Sequence, residues 1–324
     1  MKINIDITLT KNTKITLAIF GGFIFALVLI PMTVVGFWMP GEIEDDFTKT
    51  TNDDTGSEFA PIFQLEPWEW QAGDFYITIH RDATDTLEEI EFERYIVGVV
   101  AAEMPALFER GALQAQAIAA RTFAMRILAH EDYMLDTVMH QVFHDDDQLK
   151  ERWGSDFERH LITIKEAVHS TRGLVLKYDD ELITPMFFAM SNGATENSED
   201  FFSSKRPYLR SVPSTGYELH EHFAMSETFT MEELQTAFDD AQIATNNITV
   251  IANSQGGNVS EIRLGNTIYT GREVRETLGL RSAAFSILVD SEKETITFTT
   301  YGHGHGVGMS QHGANVMARA GFTF

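Results

Sequence analysis

Residues 15–41 carry no charged side chain, and residues 15–39 are rich in Ile, Leu, Val and Phe, a run long enough to cross a bilayer as one helix. That run sets the plan of the chain. Lys2, Lys11 and Lys14 precede it, and Glu42, Glu44, Asp45 and Asp46 follow it. The lysine bias predicts a cytoplasmic tail over residues 1–14 and an extracytoplasmic location for everything after the membrane helix. The stretch exceeds the apolar core of a cleaved signal peptide, and no Ala-x-Ala-like site follows it, so an uncleaved signal anchor over residues 15–39 is expected. Residues 42–57 are acidic and poor in large apolar groups, which predicts a solvated tether within a linker and lead-in spanning residues 40–74.

The remaining residues, 75–324, must fold without disulfides, because the chain has no cysteine. Thiolate metal sites and thiol redox chemistry are excluded for the same reason. Hydrophobic residues make up 44% of the chain, enough for a substantial core. The formal net charge of -24, with no basic cluster, argues against a nucleic-acid backbone as partner.

Local patterns predict a strand over residues 75–80, where Tyr76, Ile77, Thr78 and Ile79 favour an extended chain, and a helix from about Glu91 to Glu103. The helix should stop there because Met104 precedes Pro105 and is pushed out of the helical region. An Ala-rich helix is expected from Arg110 or Gly111 to about His130. Phe157, Leu161, Ile164 and Val168 have the spacing of one buried helical face, with Gly173 as the stop. Strands are predicted at residues 174–177 and 184–190, then a polar loop at 191–200. Thr230 and Glu233 form a capping box for a short helix reaching about Ala241. Further strands are expected at 248–252, 261–264 and 267–270, the last two joined by Gly265-Asn266. Strands and helices mix without a βαβ rhythm or an internal repeat, which indicates a single mixed α+β domain.

Glu103 is the only carboxylate in the apolar run from residue 95 onward. Low-dielectric surroundings and the negative end of the helix would both favour its protonated form. A solvated carboxylate at a helix end is the plainer alternative. The segment Tyr301-Gly-His-Gly-His-Gly-Val-Gly-Met-Ser-Gln-His-Gly-Ala-Asn315 has glycines that permit close backbone approach. Its spacing fits neither a dinucleotide fingerprint nor a nucleophile elbow. His303, His305 and His312 leave a zinc site conceivable, but a groove of backbone and histidine that binds a polar polymer is the better reading, beside a purely structural tight turn. His140 and His144 have the spacing of helix-borne ligands, yet Asp145, Asp146 and Asp147 make a solvated acidic face simpler. The loop Met190-Ser-Asn-Gly-Ala-Thr-Glu-Asn-Ser198 offers hydroxyls, amides and a carboxylate suited to sugar hydroxyls, as any surface turn would.

Five of these stretches, in order, resemble the stage II sporulation protein D family: residues 99–105 ending in Glu-Met-Pro; Ala-Gln-Ala-Ile-Ala-Ala-Arg-Thr at 115–122; Thr-Glu-Asn-Ser-Glu-Asp at 195–200 with Pro-Tyr-Leu-Arg-Ser-Val at 207–212; residues 271–282; and Gly-His-Gly-Val-Gly-Met-Ser-Gln at 304–311. The resemblance covers residues 75–324. It implies a peptidoglycan lytic transglycosylase that cuts peptide-stripped glycan strands between N-acetylmuramic acid and N-acetylglucosamine during engulfment. No cofactor or metal is expected, and the resemblance implies as partners the amidase stage II sporulation protein P and the scaffold protein M. Carried over by motif, the catalytic acid is Glu103. Candidate substrate contacts are Gln116, Arg121, Ser191, Gly193, Glu196, His305, Gly306 and Gln311. Two departures stand out: Met190-Ser-Asn-Gly193 replaces a more usual Ser/Thr-Ser-Gly-Gly stretch, and the chain stops at Phe324 where relatives continue with a helical tail, so a short or truncated form is expected. Two other functions compete, a non-catalytic wall-binding enhancer of an amidase and a zinc hydrolase using His303, His305 and His312.

Overall fold

The computed structural model describes residues 64–67 (as backbone), 75–202, 204–214, 216 and 220–324. The anchor over residues 15–39 and the tether over 42–57 lie outside the described residues. Among the described residues, no helix is long and apolar enough to cross a membrane.

The chain enters through β1 (Gln64–Pro67), then β2 (Tyr76–Arg81) and β3 (Thr86–Glu91) form an antiparallel hairpin that buries Ile77, Ile79 and Ile90. Glu91 ends the hairpin and starts the next element at once, because its carboxylate accepts from the Glu93 and Arg94 amides. Helix α1 (Phe92–Glu103) buries residues on nearly every side, Phe92, Tyr95, Ile96, Val99 and Val100 among them, and so runs through the core. Its stop follows the proline rule: Met104 is extended, at φ -123 and ψ 144.

Around α1 pack α2 (Arg110–Leu128), a short β4 (Met134–Leu135) parallel to β2, α3 (Asp146–Trp153) and α4 (Phe157–Ser170). Ala112, Ala117, Ala120 and Ala124 are buried along α2, and their small side chains let its neighbours approach closely. Phe157, Leu161, Ile164 and Val168 face the core as their spacing predicts. Helix α4 stops at Ser170, earlier than expected, and Gly173 serves instead in the turn, at φ 80, that leads to β5 (Leu174–Tyr178). Strand β5 lies between β1 and β6 (Glu181–Leu182). Most of the strand expected at 184–190 is irregular; only β7 (Phe187–Phe188) is regular. The loop expected at 191–200 contains β8 (Gly193–Ala194), paired with β9 (Pro213–Ser214), and the beginning of α5 (Ser198–Phe202).

A second core follows, built on the sheet of β10 (Ala224–Thr230), β14 (Phe285–Asp290) and β15 (Thr295–Tyr301) and the sheet of β11 (Ile248–Asn253), β12 (Val259–Leu264) and β13 (Thr267–Tyr269). Helices α6 (Met231–Phe238) and α7 (Gly271–Leu278) cover it through Met231, Leu234 and Val274. Both start with complete capping boxes, Thr230 with Glu233 and Thr270 with Glu273. Helix α6 ends before Ala241 because Asp239 takes the left-handed conformation. Finally β16 (Met309–Ser310) returns to pair in parallel with β7, and α8 (Gln311–Arg319) packs on α2, where the Asn315 side chain accepts from the Glu109 amide at 2.7 Å. The fold is mixed α+β, with the second core inserted between two segments of the first.

Candidate active site

Glu103 is the last residue of α1 and partly accessible to solvent. Its Oε1 accepts a hydrogen bond from the Val142 amide at 3.3 Å. Burial pushes its pKa up to about 7, against the lowering effects of that amide and of the Arg152 charge. The carboxyl is therefore poised to lose and regain a proton near neutrality.

The wall that supplies Val142 is the irregular segment from Asp136 to Asp145. Arg81 holds both ends of it, with Nε 3.1 Å from Asp136 and Nη2 2.7 Å from Asp145. The same guanidinium lies over the Phe143 ring, which stacks on Tyr95 with centroids 5.5 Å apart. Burial, helped by the Glu103 charge, keeps the Tyr95 hydroxyl protonated far above the ordinary range. Helical spacing of His140 and His144 does not survive in this segment. His140 Nδ1 accepts from the Leu135 amide, while the amide of His144 donates to Gly98 O and Asp145 caps α3.

The Gly/His segment is not an extended ligand ladder. Gly302, Gly304, Gly306 and Gly308 all have positive φ, between 71° and 112°. These kinks let the backbone clasp the 186–196 loop: His303 and Met190 exchange two hydrogen bonds, the Glu196 amide donates to Gly306 O, and the His312 amide donates to Ala189 O. A Cβ on Gly308 would lie 2.1 Å from Met186 O. Gly308→Ala is therefore expected to destabilise the protein by about 2 kcal/mol or more. Urea unfolding checks this; an unchanged midpoint would contradict the clasp.

The three histidines occupy separate environments. His305 packs among the rings of Phe188, Phe201 and Phe202, while its Nδ1 accepts from the Val307 amide at 3.0 Å. His312 packs edge-on against Phe108 and His220, and His303 lies beside Arg281. Burial chiefly pushes their pKa values down, to about 3 for His303 and about 4 for His305 and His312. Among the described residues, no three His, Cys, Asp or Glu side chains form a metal-binding group.

Seven of the eight anticipated substrate-contact residues join one connected region. Gln311 donates to Gln116 across 3.4 Å, the Ser191 amide donates to Ser310 Oγ, and the Gly193 amide donates to Ser191 Oγ. Glu196 Oε1 accepts from Ser254 Oγ and the Asn258 amide, and its neighbours Gly306 and Val307 lead back to His305. Phe108, in the turn that follows Glu103 in sequence, meets with its ring His312, the neighbour of Gln311.

Arg121 stands apart. It is 0% exposed, and its Nε and Nη2 each meet a Glu93 carboxylate oxygen at 2.8 Å, with further bonds to Leu174 O and Val168 O. An arginine in an Ala-rich helix reads alike in sequence whether it faces the core or a ligand. Conversely, Val142, Tyr95, Arg81 and Arg152 carry no local sign of a role, because each meets Glu103, its wall or its helix end through tertiary packing. A cavity of about 1020 Å³ borders Val97, Gly98, Phe143, His144 and Lys165, and Glu103 does not line it.

Residues 80–178, the lobe that carries Glu103, match the family described as Stage II sporulation protein. The chain is 40% identical over 258 residues to stage II sporulation protein D of Bacillus subtilis (strain 168), covering 76% of this chain and 74% of that protein. It is equally similar, 40% over 255 residues and 76% and 73% of the two chains, to stage II sporulation protein D of Bacillus amyloliquefaciens. The amidase enhancer of Bacillus subtilis (strain 168) is 27% identical over 282 residues, 70% of this chain and 38% of that protein. The chain belongs to the stage II sporulation protein D family.

Proposed function

We propose that this protein is a membrane-anchored lytic transglycosylase that cleaves the bond between N-acetylmuramic acid and N-acetylglucosamine in peptide-stripped glycan strands. The observation that carries this reading is a solvent-accessible Glu103 with a pKa raised to about 7, whose hydrogen-bond and charge partners, the Val142 amide and Arg152, are not carboxylates. A hydrolytic glycosidase normally uses two carboxyl groups. A transglycosylase needs one. Protonated Glu103 donates to the glycosidic oxygen as the bond from C1 to that oxygen breaks. The resulting carboxylate takes the proton of the muramic acid 6-hydroxyl as O6 bonds to C1, so that Glu103 ends protonated, no water is consumed and a 1,6-anhydro ring closes. The raised pKa serves both halves of the cycle.

In this reading, the uncharged run over residues 15–39 anchors the enzyme with its catalytic domain outside the cytoplasm, at the sporulation septum and engulfing membrane. Stage II sporulation proteins P and M act beside it, the former removing the peptides before the strands are cut. Since the acid form starts the cycle, activity should hold below about pH 7 and fall roughly tenfold per pH unit above it. Release of anhydro-muramic ends across that range checks this; a rate that stays flat through pH 9 would contradict it.

Similarity to the amidase enhancer favours a second reading, a glycan-binding protein that stimulates an amidase without cutting glycan itself. Glu103→Gln separates the two. Loss of glycan cleavage supports the enzyme, whereas a wild type without cleavage and a variant that still stimulates the amidase support the enhancer.

A further inference from the structure

Helix α1 ends with carbonyls that have no partner within the helix, and their partial negative charge bears on the carboxyl of its last residue. Arg152, on α3 and 51 residues from Ala101 in sequence, answers that charge. Its Nη1 donates to Ala101 O at 3.2 Å and to Ala102 O at 3.0 Å, the two carbonyls immediately before Glu103. Its Nε is buried without a hydrogen-bond partner. The side chain therefore spends its hydrogen bonds on the helix end and leaves its charge directed at the last turn, where no carboxylate salt bridge neutralises it among the described residues.

The other charged groups around this end leave little to compete with it. On α1 itself, Tyr95 stays neutral. On the segment from Asp136 to Asp145, both aspartates are paired with Arg81 of β2. His144 on the same segment is half-buried, and burial holds its pKa below the ordinary histidine value. On the same segment His140 Nδ1 accepts from the Leu135 amide and its Nε2 lies 3.7 Å from Glu131, so among the described residues Arg152 is the charge that bears on Glu103.

We infer that Arg152 is a positioning residue for the proton cycle of Glu103: by capping the final carbonyls of α1 and bringing its charge to the last turn, it stabilises the carboxylate that exists between proton donation and proton return. The inference rests on the transglycosylase reading for its purpose, though not for its geometry. Without this charge, the Val142 amide alone would offset the desolvation of the carboxyl and the negative helix end. The carboxyl would remain protonated to higher pH and become a poorer acid.

The test uses the full chain, labelled with glutamate carrying 13C at its side-chain carboxyl, as wild type, Arg152→Gln and Arg152→Lys. In Arg152→Gln, the Glu103 titration and the alkaline limb of glycan cleavage should both move upward by on the order of one pH unit, with a loss of roughly tenfold in rate near pH 6. Arg152→Lys retains the charge and should restore both toward wild type. Arg152→Met keeps the apolar stem and replaces the glutamine variant if the latter fails to fold. An Arg152→Gln or Arg152→Met protein that loses thermal stability while its Glu103 titration stays at the wild-type position would overturn the inference. A titration that moves in a protein whose wild type cuts no glycan would sustain the coupling and overturn the transglycosylase reading alone.

Discussion

Glu103→Gln is expected to lower glycan cleavage by about a thousandfold, within the range that a general acid and base contributes, while leaving the protein folded and more stable than wild type at alkaline pH. Both effects have one cause. The native carboxyl keeps its proton up to about pH 7, whereas the unfolded chain gives it up near the ordinary value of 4.5. Below the unfolded value, both states are protonated and the full stability is present. As pH rises from there through 7, the native state retains a proton that the unfolded state has lost, and stability declines. Above that window the native protein bears the whole cost of an ionised carboxyl in apolar surroundings, on the order of 1–2 kcal/mol once its partial exposure is discounted. Glutamine never ionises, and its amide oxygen can still accept from Val142. Thermal unfolding should therefore show a higher Tm for Glu103→Gln at about pH 8 and no gain at about pH 4. Equal Tm values at both pH values would mean that the carboxyl is not desolvated.

The second large effect concerns Arg121. Truncation to methionine leaves Glu93, whose side chain is only 14% exposed, facing the core without its cation. Breaking such a pair costs about 3–5 kcal/mol, because one charge remains buried and uncompensated. The pair anchors the first turn of α1 to α2, and further bonds from Arg121 hold the end of α4 and the start of β5. Arg121→Met should thus lower the urea midpoint sharply, and Glu93→Leu combined with Arg121→Met should recover much of the loss. A ligand role makes the opposite forecast: wild-type unfolding with weakened glycan binding. That result would mean that the arginine leaves Glu93 in solution.

These two residues also show what a sequence can and cannot disclose. The end of α1 was legible because proline restricts the residue before it, a rule that acts within two residues and needs no tertiary context. The buried face of α4 and the capping box at Thr230 were legible for similar reasons, since spacing and hydrogen-bonding side chains act locally. Strand β3 was not, because Glu88, Glu89 and Glu91 hide a pattern in which only Ile90 is buried, and its pairing with β2 decides the conformation. In β15 the signal was present: Ile296, Phe298 and Thr300 alternate inward, yet no strand was expected there. The candidate site divides along the same line. Glu103 and the kinked glycines could be singled out from local composition, but Val142 and Arg152 converge on Glu103 from separate elements. The three terminal histidines looked equivalent in sequence, and packing against Phe108, Phe188, Phe201 and Phe202 gives His305 and His312 different surroundings.

One carboxyl suffices only if the sugar's own 6-hydroxyl, and not water, attacks the anomeric carbon. Digestion of peptide-free glycan strands in water enriched in 18O, followed by mass analysis of the products, addresses that directly. The account predicts 1,6-anhydro-muramic ends that contain no 18O, and no such ends with Glu103→Gln. Reducing muramic ends that carry 18O would contradict it and would require a second catalytic group to activate water.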